Sequence, residues 1–199
     1  MLTLCGSLGE RSANAAALAV ARRRLVAAGH VVVGWPDLAA VPAFRQELVD
    51  EPGEVVGSLR AALDATDGLL LAAPEYAGGV AGSMKNALDW LVGSASLYRR
   101  PLAVLSAGTS GGAHAIDELV RTLSWQGAFV VATLGIASPR PKMNADGQFT
   151  DSATIAATEQ WAGELARALD ATESQRWHMA APVIARHGVG PERLGPPPE

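Results

Sequence analysis

Apolar runs and apolar stripes alternate along this chain. Leu2 to Cys5 reads as a strand, and Ala13 to Ala28 as a helix with Leu18, Ala21, Leu25 and Ala28 on its inner face. Ser12 is placed to cap that helix and Gly29 to end it. His30 to Trp35 predicts a second strand, followed by an irregular stretch from Pro36 to Glu51. After Pro52, the positions Val55, Val56, Leu59, Ala62 and Leu63 repeat with helical spacing. Leu69 to Ala73 is apolar at every position, the pattern of a strand buried on both faces. Met84, Ala87, Leu88 and Leu91 form the next helical stripe.

The alternation continues to the end of the domain. Leu102 to Ser106 is a fourth strand, and the helix after it presents Ile116, Leu119, Val120 and Leu123. Ala128 to Leu134 is a fifth strand, and Ser152 to Leu169 a last helix with Ile155, Thr158, Ala162, Leu165 and Leu169 on one face. Five strand–helix alternations imply a doubly wound parallel sheet with helices on both faces and right-handed crossovers. The domain expected is 1–170. Residues 171–199 hold a dense share of the prolines and end in Pro196-Pro197-Pro198, which predicts an extension, partly disordered or docked on a partner subunit.

Composition narrows the function classes. The 199 residues are 49% hydrophobic with a net charge of −4, so no basic face points to nucleic acid. A single cysteine, Cys5, excludes a disulfide framework and a multi-cysteine metal site. No apolar run is long enough to cross a membrane and no leader precedes the first strand, so a cytoplasmic protein is expected.

In a parallel sheet the loops at the strands' carboxyl ends share one edge, where ligands bind. Three such loops are rich in small residues: Gly6–Asn14, Pro74–Gly82 and Ala107–Gly112. The first has neutral donors in Ser7, Ser12 and Asn14, a charge in Arg11, and a following helix that points free N–H groups outward, the features of a phosphate site. Together the loops predict a ligand with a phosphate and a broad planar part. A rival pattern, Gly108-x-Ser110-x-Gly112, fits the nucleophile elbow of serine hydrolases. It would need Asp117 or Asp146 and His178 or His187 to complete a triad.

Gly6-Ser7-Leu8, Ser12-x-Asn14, Pro74-Glu75-Tyr76 and the block Gly82 to Leu91 (GSMKNALDWL) resemble the NADPH-dependent FMN reductase family, which includes quinone, chromate and azo-dye reductases. The resemblance implies a flavodoxin-like sheet of order 2-1-3-4-5, FMN with NADPH or NADH as cofactors, and a homodimer or homotetramer. It also implies hydride transfer to a quinone-like or flavin acceptor, or alternatively supply of reduced FMN to a monooxygenase. Ser7, Ser12 and Asn14 would hold the FMN phosphate, with Arg11 replacing the arginine that the family often has at the place of Gly9. Pro74, Glu75, Tyr76, Ala77 and Gly78 would line the ribityl chain and ring, with Ala77 standing where the family has asparagine. Ser106, Gly108 and Gly111 would close over the pyrimidine side. No side chain is expected to act as acid or base, since the flavin carries the chemistry. FMN is expected to be partly lost on purification. Trp90, at the margin of its stripe, is expected in the core or at a subunit contact rather than as a shelf for the cofactor.

Overall fold

The structure, a computed structural model, describes residues 1–198. Its five parallel strands are β1 (Leu2–Cys5), β2 (Val33–Gly34), β3 (Leu69–Ala72), β6 (Pro101–Gly108) and β7 (Phe129–Ala137), in spatial order β2-β1-β3-β6-β7. A separate antiparallel hairpin is formed by β4 (Glu75–Tyr76) and β5 (Gly79–Val80). With the hairpin set aside, this is the expected 2-1-3-4-5 sheet. β3 is central, paired with β1 and β6, and each of its residues is fully buried. Its unbroken apolar run follows from that position, since helices cover both faces.

The helices are α1 (Ala13–Ala27), α2 (Gly53–Asp64), α3 (Gly82–Asp89), α4 (Ala113–Trp125), α5 (Ser152–Asp170) and α6 (Glu173–Arg186). Ser12 caps α1 by accepting from the Ala15 N–H, and Asp151 caps α5 by accepting from Thr154. The expected stripes are buried or, at Val55, Ala62, Ile155 and Leu169, half-buried, except that Ala28 caps α1 in solvent. The Trp161 indole also enters the core and donates to the Val104 carbonyl. Among the described residues, no helix is long and apolar enough to cross a membrane.

Several elements differ from the sequence reading. The second strand shrinks to two residues, because only Val33 and Gly34 pair with Leu2 and Thr3 at the sheet edge. β7 runs three residues past Leu134, with Gly135 to Ala137 pairing on β6. A Cβ on Gly135 would stand 2.6 Å from the Gly111 carbonyl, so glycine there admits the turn rather than ending the strand. Residues 173–186, within the stretch read as an extension, form α6, which lies on the chain's own β7. Thr172 and Gln175 form its capping box, and Arg176 donates to the Ala168 and Leu169 carbonyls at the end of α5. β7 is an edge strand, and α6 covers it with Ala180, Val183 and Ile184.

Of the two places expected for Trp90, the chain's own core is the one it takes. Its ring is only 1% exposed within the single chain, meets Phe44 edge-on at 5.2 Å, and donates to the Pro42 carbonyl at 2.7 Å. The irregular segment after the second strand, not a partner subunit, buries it.

Candidate active site

All three glycine-rich loops stand at the carboxyl edge of the sheet, as parallel pairing dictates. The first is pressed tightly onto the core. A Cβ on Gly6 would lie 2.9 Å from those of Ala73 and Met84, and the Gly6 carbonyl accepts from Ser83 at 2.6 Å. Beyond Gly6 the chain lifts away. Among the described residues, no acceptor faces the N–H groups of Ser7, Leu8, Gly9, Ala13 or Asn14. A run of free donors at the start of a fifteen-residue helix is an anion cradle. Among the described residues, the half-buried Ser7 has no partner for its hydroxyl. Ser12 uses its oxygen to cap α1, and its side chain also lies within hydrogen-bonding reach of the Cys5 thiol. Below the loop, burial raises the Cys5 thiol above its usual pKa range, which keeps it protonated at neutral pH.

Asn14 faces inward instead. Its amide exchanges hydrogen bonds with the Ala107 backbone, at 3.1 Å to the carbonyl and 2.9 Å from the N–H. Arg11 is exposed and, among the described residues, makes no ion pair. Its side chain faces the segment 144–149 on the flank of α1.

The second loop is the β4–β5 hairpin. Pro74 is buried at its base, where its carbonyl accepts from Ala81. Ala77 and Gly78 form the turn, both with positive φ (52° and 73°), the geometry of a tight two-residue hairpin. Tyr76 stands 63% exposed at the tip. Two carboxylates clamp the hairpin to α4. Glu75 accepts from the His114 and Ala115 N–H groups at 2.8 and 3.2 Å, where the helix dipole favours negative charge. Glu118, on α4, accepts from the Val80 N–H at 2.7 Å. Glu75 therefore holds structure and is not free as an acid or base. Glu118 carries no sequence signal beyond its place on the outer side of a helix, and the reading missed it.

The third loop turns over Ser106, which is fully buried with an unpartnered hydroxyl. Gly112 sits directly on it: a Cβ there would lie 2.0 Å from the Ser106 oxygen. Gly111 is buried as well, so Ser106 and Gly111 shape the turn from beneath, while Gly108 and Thr109 form its outer surface. The edge thus gathers Ser7, Ser12, Glu75, Tyr76, Ala77, Gly78 and Gly108, whereas Asn14, Pro74, Ser106 and Gly111 support it from within. Where a Cβ would stand on Gly9, Gly78 or Gly108 there is open space, so a flat ligand can approach the backbone. The residues present fit FMN: a nest of free donors for the phosphate, and small-residue loops for the ring.

The triad is not assembled. The Ser110 hydroxyl turns to Glu75 at 3.4 Å. His187 does pair with Asp117 at 2.7 Å, but its other ring nitrogen meets Thr133 at 3.1 Å. His178 pairs with the Ser174 carbonyl. The group that His187 serves is the anchor of α6 on α4 and β7. A larger cavity of about 500 Å³, lined by Thr133, Trp161 and Val183 among others, lies between β7, α5 and α6, and none of the three loops lines it.

Comparison with known proteins shows the family and the fold. The family model for NADPH-dependent FMN reductase matches residues 1–140. A quinone reductase of Escherichia coli (strain K12) is 32% identical over 142 residues, 66% of this chain and 72% of that protein. An NADPH azoreductase of Bacillus sp. (strain OY1-2) is 31% identical over 86 residues, 42% of this chain; the match spans about half (48%) of that protein's length. Among solved structures, the NAD(P)H:acceptor oxidoreductase FerB of Paracoccus denitrificans superposes with a TM-score of 0.68 at 23% identity, covering 85% of this chain and 96% of that one. With the family match and the sheet order in agreement, this chain belongs to the NADPH-dependent FMN reductase family and is a flavin-dependent oxidoreductase.

Proposed function

We propose that this enzyme oxidises NADPH or NADH and reduces a quinone-like or free flavin acceptor, the two substrates using one open site in turn. The observation that carries the reading is the donor nest at α1 beside open, small-residue loops, with no second nucleotide-type loop on that edge among the described residues. FMN, when bound, would supply the two-electron chemistry between nicotinamide and acceptor. The chain supplies the rest. The free N–H groups with Ser7 and Ser12 bind the phosphate, and Arg11 adds positive charge nearby. Asn14 fixes the nest to the third loop. Glu75 and Glu118 hold the hairpin so that Tyr76, Ala77 and Gly78 roof the ring, while Gly108 lets the pyrimidine side approach backbone.

The reading includes a soluble cytoplasmic homodimer or homotetramer whose second subunit walls the open edge, with neither nucleic acid nor membrane as partner. Sedimentation at micromolar concentration tests the assembly. Steady-state kinetics test the chemistry. Varying NADPH at several fixed quinone concentrations should give parallel double-reciprocal lines; intersecting lines mean that both substrates bind together. Supply of reduced FMN to a monooxygenase is the second reading. It is favoured if free FMN is turned over faster than any quinone.

A further inference from the structure

A pocket of about 360 Å³ opens beside the phosphate nest, lined by Arg11, Arg140, Met143, Asn144, Ala145 and Gly147. Its two charged side chains come from segments far apart in the chain, and both are cations. No carboxylate lines it, although the protein as a whole carries a net charge of −4. Among the described residues, neither guanidinium makes an ion pair or a hydrogen bond. Two unneutralised guanidinium groups facing one concave space make a local positive field that attracts an anion. Their planar forks suit the oxygens of a phosphate.

The wall that carries Arg140 is stiff and joined to the flavin-side loop. Pro139 and Pro141 flank the arginine in a short 3₁₀ turn. The Ser138 N–H donates to the Gly108 and Thr109 carbonyls, and Lys142 donates to the Ala137 carbonyl. Asn144 closes the following turn by accepting from the Asp146 and Gln148 N–H groups. The pocket is therefore pre-formed, and Ser138 connects it to the loop that borders the ring.

We propose that this pocket binds the 2′-phosphate end of the reduced nicotinamide dinucleotide, with Arg140 as the residue that selects the phosphorylated form. Arg11 stands between the pocket and the FMN nest and strengthens the field of both. A donor whose nicotinamide lies on the ring beside Gly108 extends along Ser138 toward Arg140. The inference rests on the proposed function, because it assigns a subsite to that reaction's donor. The shared chemistry is a phosphomonoester, and FMN brings one too, so the test must separate the two sources.

Calorimetric titration of the flavin-loaded protein with adenosine 2′,5′-bisphosphate and with 5′-AMP reads the pocket without turnover. The bisphosphate should bind roughly tenfold or more tightly, and Arg140→Gln should remove that preference, with Arg140→Lys keeping part of it. In turnover, the NADPH-to-NADH ratio of kcat/KM should fall by a similar factor in Arg140→Gln. Circular dichroism verifies that this exposed substitution leaves the fold intact. Equal binding of the two adenosine probes by the native protein would overturn the proposal. So would an Arg140→Gln variant that keeps the preference but loses discrimination between FMN and riboflavin, since the pocket would then serve the flavin phosphate. The calorimetric arm reads the same way even if no nicotinamide is oxidised, a result that would instead remove the proposed function.

Discussion

Asn14 and Ala107, 93 positions apart, exchange two hydrogen bonds as if a side-chain amide were a strand partner. The pair sets the start of α1 against the loop after β6, so the phosphate nest and the ring-side loop form one rigid unit. Asn14 is 3% exposed, and truncation would strand the Ala107 N–H and C=O without water. Asn14→Ala should cost about 1–3 kcal/mol of stability, read from urea unfolding. Asn14→Asp keeps the acceptor, loses the donor and brings a charge toward the nest. It should weaken FMN binding more than Asn14→Ala does.

Ala77 holds φ at +52°, a left-handed conformation that strains alanine and that glycine or asparagine adopts more readily. Ala77→Gly should therefore stabilise the protein by about 0.5–1 kcal/mol, raising Tm by roughly 1–4 °C. Ala77→Asn should stabilise it comparably, and its amide at the tip should tighten FMN by about fivefold. An unchanged Tm in both variants would show that the hairpin relaxes without cost.

Gly112 has the opposite constraint. A methyl group there meets both the oxygen and the Cβ of Ser106, at 2.0 and 2.4 Å, and φ is +71°. Gly112→Ala should lower stability by more than about 2 kcal/mol and abolish flavin retention. Because the Cβ contact persists, Ser106→Ala should not rescue it; rescue in thermal melts would show that the hydroxyl alone sets the clash.

Acid should loosen the start of α5. The Thr154 hydroxyl, and then its backbone N–H, donate to Asp151 and hold its carboxyl below the usual carboxylate range. A folded-state pKa below the unfolded one means stability that is complete above the unfolded value, near ~4, and lost as pH falls through the folded value. Asp151→Asn retains an acceptor without the titration. Its Tm should fall less steeply than that of the native protein between pH 5 and 3.

The sheet was legible because its signals are local and redundant. The apolar run at Leu69–Leu71 placed β3 at the centre, and the helical stripes were read nearly to their ends. The hairpin was missed because two strands of two residues each leave no periodicity to read. α6 was missed because Pro182 and the terminal prolines masked the spacing of Ala180, Val183 and Ile184. Those residues find their partner only when β7 is known to be an edge. In the site, the donor nest could be read from Gly-Ser-Leu and Ser12. Which residues present themselves outward could not: Asn14 and Ser106 are polar, yet tertiary neighbours turn both inward. Arg140 had one available signal, a position just after a strand's carboxyl end, obscured by ending that strand at Leu134.

The central claim is that the loop before α1 holds the phosphate of FMN. Titrating flavin fluorescence with apoprotein, using FMN and riboflavin in parallel, measures it directly. The account predicts one FMN per chain, bound at least about tenfold more tightly than riboflavin, with the advantage shrinking as inorganic phosphate is added. Equal affinities for the two flavins, unaffected by phosphate, would contradict it and leave the nest without a ligand.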